Sequence, residues 1–145
     1  MTKLIFLDID GVMNSSRGQG PCFSDMEEGK LLLLKRLIDE SGAKGIVLTS
    51  DRRYSEVDMR DKSKAFAKFG IPVIGVTRRP YEEDDDRGRQ IADYLSSSIE
   101  DIEKIVILDD NDDGISYLFP KDFILVHRFF GLNEAAYEKA LRILG

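Results

Sequence analysis

The chain has 145 residues, 42% of them hydrophobic and 33% charged, with 4 prolines and 1 cysteine. That length fits one domain over residues 1–145 with a sizeable core, and Cys22 alone excludes both an intrachain disulfide and a cysteine metal cluster. The formal net charge of −6 excludes a bulk electrostatic grip on nucleic acid or anionic membrane, although a bound metal and a few arginines can reverse the field of one cleft.

The N-terminus passes from Met-Thr-Lys into an apolar run at residues 4–7 that is too short for a signal segment. No stretch approaches the ~18 apolar residues of a membrane span, so a soluble cytoplasmic protein without membrane contacts is expected. Along the chain, residues 4–7, 45–49, 71–76, 105–108 and 123–126 are short apolar runs without polar alternation, the pattern of strands buried on both faces. Between them, "SDMEEGKLLLLKRLIDESG" offers Ser24 or Asp25 as helix N-cap and Gly42 as stop. A second helix is predicted from Ser55 to Gly70, and a third from "DRGRQIADYLSSS", with Ile91, Tyr94 and Leu95 at helical spacing. A last one begins at Asn133 with Ala136, Ala140, Leu141 and Leu144 on one side. This order predicts an α/β fold: a three-layer, doubly wound parallel sheet of about five strands, whose ligands bind outside the carboxyl ends of the strands.

Two runs end in acid. "LIFLDIDGVMN" yields Asp8 and Asp10, and "IVILDDNDDG" yields Asp109, Asp110, Asp112 and Asp113. On neighbouring parallel strands these carboxylates converge, repel one another and raise each other's pKa values. A divalent cation resolves that conflict, and hard oxygen donors favour magnesium. By itself "DDNDDG" is an ordinary turn, and its likeness to a calcium loop fails at the twelfth position, where Pro120 replaces the bidentate glutamate. Asp8, however, directly follows Phe6 and Leu7 in a run expected to be buried, where an unpaired charge is costly. A nucleophilic carboxylate with a second acid two residues later suits phosphoryl transfer through an aspartyl-phosphate.

"FLDIDGV" resembles motif I of the haloacid dehalogenase (HAD) superfamily. Motif II, a strand ending in Ser or Thr, is matched by "GIVLTSDRR" with Thr49 and the adjacent Ser50. Motif III, a cation near a helix start, is matched by Arg87 in "DRGRQIADYL", with Arg89 as its rival. Motif IV is matched by Asp109 and Asp110, with Asp113 spaced as an auxiliary acid. Arginine stands at motif III where lysine is more usual, and the two are not geometrically interchangeable.

The resemblance implies that Asp8 attacks phosphorus and that Asp10 protonates the leaving oxygen and then activates water. It implies Mg2+ held by Asp8, the Asp10 carbonyl and Asp109 or Asp110. Thr49 or Ser50 would bind a phosphate oxygen, and Arg87 would offset developing charge. HAD members that keep the second acid are typically phosphatases. Residues 12–24 and 51–86 leave no room for a cap domain, and capless members resemble those acting on large substrates such as phosphoproteins or nucleic-acid 3′ or 5′ ends. The patterns T-S-x-x-R, R-G-x-x-I, I-L-D-D-x-x-D and G-L-N-E-A look closest to small bacterial HAD domains associated with RNA repair; no obligate protein partner is inferred.

Arg17, Arg52, Arg53, Arg78 and Arg79 are expected on loops near the carboxyl edge, mostly solvated, with a subset able to contact a polynucleotide backbone. His127, the only histidine, is read as structural or superficial. The rival readings are a non-catalytic HAD-like binding module and a phosphoacceptor receiver-like domain. The receiver is disfavoured because the third strand, "IPVIGVT", ends without an acid.

Overall fold

The computed structural model describes residues 1–15, 26–49, 55–79 and 85–145. Five strands, β1 (Thr2–Leu7), β2 (Gly45–Leu48), β3 (Val73–Val76), β4 (Ile102–Asp109) and β5 (Phe123–Leu125), form one sheet in the order β3-β2-β1-β4-β5. Every neighbouring pair is parallel. The helices are α1 (Glu28–Ser41), α2 (Glu56–Lys68), α3 (Arg87–Ser97), α4 (Ile115–Leu118) and α5 (Glu134–Leu144).

Strand alternation sorts the core into two layers. Ile5, Leu7, Ile46, Leu48, Val106 and Leu108 face a cluster built with residues of α1, α2 and α5. Leu4, Phe6, Val47, Ile105 and Ile107 face the other way, onto Ile91 of α3 and Ile115 of α4. Because β1 and β4 are buried on both faces, their sequences lack polar alternation. Ser55 caps α2 with a reciprocal capping box, and Asn133 caps α5 by accepting from the Ala136 N–H. The proposed caps Ser24 and Asp25 lie outside the described residues; the described N-cap of α1 is Glu27, without a side-chain cap bond.

Several elements differ from the sequence reading. The strand expected from residue 71 begins at Val73, because Pro72 has no N–H for the ladder. β4 extends back to Ile102 through Glu103 and Lys104, which lie at the solvent-washed amino end of the sheet. The short helix α4 intervenes between β4 and β5; at four residues it is too short for helical periodicity to register.

The chain leaves β1 for β2 and β3 on one side, then crosses to β4 and β5 on the other. The crevice between the carboxyl ends of β1 and β4 is therefore the topological switch point. The longest connection between elements, residues 8–27, starts there, and among the described residues no domain is inserted between elements.

Candidate active site

Asp8 follows β1 and its N–H donates to the Leu108 carbonyl of β4 at 3.0 Å. Asp109 is the last residue of β4, so the strand pairing itself sets these two side chains side by side. Asp8, Asp109 and Asp110 each offer a carboxylate oxygen, all within 4.8 Å of one another. Asp8 is 3% exposed and Asp109 is fully buried.

Burial above all, and then the neighbouring Asp109 and Asp110 charges, push the Asp8 carboxyl well above its ordinary range, against the opposing pull of Arg87. Burial likewise raises Asp109 to about 6, again against Arg87. Carboxylates pressed together out of water call for a cation, and an all-oxygen set suits a small hard one. The donors present thus fit Mg2+.

These shifts predict a pH-dependent stability in the presence of chelator. Asp109 holds its proton more tightly folded than unfolded, so its stabilising contribution is complete below 3.8 and is lost as pH rises through about 6. At about 1.4 kcal/mol per pH unit, the loss is on the order of 3 kcal/mol. Urea titrations between pH 4 and 7 should show stability falling across that window and Mg2+ restoring it at pH 7. Stability rising across the window would contradict the geometry.

Arg87 opens α3 and its Nη1 lies 2.7 Å from Asp109 Oδ2 and 3.3 Å from Asp8 Oδ1. Arg89 points elsewhere, toward Asp86 at 3.9 Å, with its side chain mostly exposed. A cation at a helix start is unfavourable by the helix dipole, and Asp113 offsets it. The Asp113 carboxylate accepts from the Arg87 N–H at 3.1 Å, and its carbonyl accepts from the Gly88 N–H at 3.3 Å. Asp113 thus fixes the helix that carries Arg87. Gly88 permits this approach, since a Cβ there would fall 2.6 Å from the Gly114 carbonyl oxygen.

Asp10 sits in the turn after β1, buried, and its carboxylate is outside the group of three. Asn14, absent from the sequence-derived site, holds that turn. Its side-chain oxygen accepts from the Gly11 N–H at 2.9 Å and its amide donates to Asp10 Oδ1 at 3.3 Å. The signal was a polar residue closing an apolar segment four positions after the second aspartate. Asn14 is fully buried, and such a group needs partners.

Thr49 lies just past β2, buried, with its hydroxyl donating to the Leu7 carbonyl at 3.3 Å. Ser50, Arg17, Arg52, Arg53 and Cys22 lie outside the described residues. Arg78, a candidate backbone contact, is clasped instead: Nε to Asp93 at 2.7 Å and Nη2 to Asp85 at 3.2 Å. It ties the segment before α3 to the helix.

Carboxylates from β1 and β4 meeting at one crevice of a β3-β2-β1-β4-β5 sheet are the arrangement of the HAD class. Residues 4–137 match the family described as the HAD domain in Swiss Army Knife RNA repair proteins, and the chain belongs to that family. No curated protein matches the chain. Among the described residues, no helix is long and apolar enough to cross a membrane.

Proposed function

We propose that the protein is a magnesium-dependent phosphatase that hydrolyses phosphomonoesters through an aspartyl-phosphate on Asp8, with a nucleic-acid end as substrate. The observation that carries this reading is the Asp8–Asp109–Asp110 group at the switch-point crevice, with Asp8 and Asp109 buried and bridged by Arg87. Membership of a family named for RNA repair proteins supports the substrate class.

In the proposed reaction an Asp8 carboxylate oxygen attacks phosphorus in line, the bond to the leaving alkoxide breaks, and the Asp10 carboxyl gives that alkoxide its proton. Water then attacks the phosphoryl group, Asp10 takes the water's proton, and Asp8 leaves as carboxylate. Asp8, Asp109 or Asp110 and the Asp10 carbonyl would hold Mg2+, which supplies Lewis-acid stabilisation of phosphoryl charge. Arg87 balances charge on Asp8 and on the phosphate oxygens. Thr49 or Ser50 donates to a phosphate oxygen, and Asn14 aims Asp10. With no inserted cap, water must be excluded by the substrate itself, which favours a large one.

Phosphate release from RNA oligonucleotides bearing 3′- or 5′-phosphates, set against sugar phosphates and nucleoside monophosphates, tests the reading. The oligonucleotides should lead in kcat/KM by about tenfold or more, since binding of remote parts of a substrate is spent at the reacting centre. Chelation of Mg2+ should stop turnover. Small metabolites ranking first would contradict the proposed substrate class.

A further inference from the structure

The turn that follows β5 is made of His127, Arg128, Phe129 and Phe130, all exposed. Phe129 and Phe130 are 43% and 49% exposed and are the only exposed phenylalanines among the described residues. Single exposed apolar side chains are normal on a protein surface. Two adjacent aromatic ones on a turn bonded to Asp109 are different in kind. Their rings stand edge to face at 5.0 Å, and His127 lies 5.7 Å from Phe130. The Phe129 N–H donates to His127 Nδ1 at 3.2 Å, which holds the imidazole against the turn.

This turn is built onto the candidate site. At its entry the Val126 N–H donates to the Asp109 carbonyl at 2.8 Å, and at its exit the Leu132 N–H donates to the Val12 carbonyl at 2.8 Å. Between them the Phe130 and Gly131 N–H groups close on the His127 carbonyl at 3.0 and 2.8 Å. Gly131, at φ +69°, lets the turn lie against residues 12–14; a Cβ there would fall 2.9 Å from the Asn14 carbonyl oxygen. Arg128 Nε lies 3.9 Å from Asp110 Oδ2. The turn that carries the aromatic pair is therefore tied by backbone hydrogen bonds to Asp109 and to the segment that follows Asp10.

We propose that Phe129 and Phe130 form a stacking platform for the base of the terminal nucleotide of a single-stranded RNA whose phosphate enters the Asp8 site. This rests on the phosphatase reading and adds to it how a nucleic-acid end is held. Bases unstacked from a partner strand stack on exposed aromatic rings, and each such contact is tolerant of sequence. A chain of net charge −6 gains little from a bulk attraction to polyanions, so contact with the bases must carry more of the affinity. Arg128, on the same turn, adds positive charge beside the carboxylates.

Equilibrium binding to the Asp8→Asn variant, read by fluorescence anisotropy, tests the platform without turnover. The probes are short labelled single-stranded RNAs with a terminal phosphate, carrying or lacking the base on the phosphorylated nucleotide. The base should tighten binding by roughly fivefold to a hundredfold. That preference should vanish in Asp8→Asn carrying Phe129→Ala and Phe130→Ala, and return with Phe129→Tyr and Phe130→Tyr. An unchanged preference in the alanine variant, or no preference in its parent, overturns the platform. So does a shift from dimer to monomer on alanine substitution in sedimentation, which would make the patch an interface between copies. Absence of turnover by the unaltered protein, with base-dependent binding intact, would instead sink the phosphatase reading and leave the platform standing.

Discussion

Asp8→Asn should lower phosphatase kcat by about ten thousandfold or more while raising the stability of the metal-free protein. The first effect follows from removing the proposed nucleophile, since residues acting as a unit lose nearly everything together. The second follows from electrostatics. The Asp8 carboxylate is charged only against burial and two neighbouring acids, and a neutral isostere removes that conflict. Arg87 keeps its 2.7 Å partner Asp109 in the variant, so no cation is stranded. A residue important only for folding would show the reverse: lower stability and activity falling with the folded fraction. Steady-state kinetics together with thermal unfolding in chelator separates the two.

Gly11→Ala should be the most damaging single methyl in the site. Gly11 has φ +85°, and a Cβ would lie 2.2 Å from Asp110 Oδ2 and 2.7 Å from its Cγ. The left-handed backbone costs an alanine about 1–2 kcal/mol. Relieving the overlap requires Asp110 to leave the carboxylate group. A total loss of roughly 2–4 kcal/mol is expected, with a drop in Tm on the order of 10 °C and weaker Mg2+ binding by calorimetry. Gly29 is the internal control. It lies in α1 with nothing within 4 Å of the added Cβ, so Gly29→Ala should stabilise slightly through helix propensity. Equal, small effects at both glycines would mean that Asp110 does not press against the motif I turn.

How much of this was written in the sequence depends on how local each signal is. The strands leading to Asp8 and Asp109 were legible because double-sided burial leaves uninterrupted apolar runs. Their adjacency was a condition of the sequence reading, and the parallel pairing of β1 with β4 meets it. The choice between Arg87 and Arg89 was not legible. It turns on the Asp113 carboxylate holding the Arg87 N–H across 26 positions of chain. Asn14 escaped notice because its role comes from a side chain folding back over its own turn. Arg78 read as a free surface cation, yet Asp85 and Asp93 hold it. Phe129 and Phe130 carried no signal in the sequence, since they follow the last apolar run; β5 ends at Leu125, and the bonds of their turn to Asp109 and Val12 bring it beside the site.

In the proposed reaction Asp8 carries the phosphoryl group. p-Nitrophenyl phosphate has a leaving group that needs no proton, so Asp10→Asn should still be phosphorylated by it but be slow to hydrolyse the product. Acid quenching of Asp10→Asn with the 32P-labelled substrate and Mg2+ should give a covalent label on Asp8, released by hydroxylamine as an acyl phosphate is. Label on any other residue, or equal labelling of the Asp8→Asn, Asp10→Asn double variant, would contradict the account.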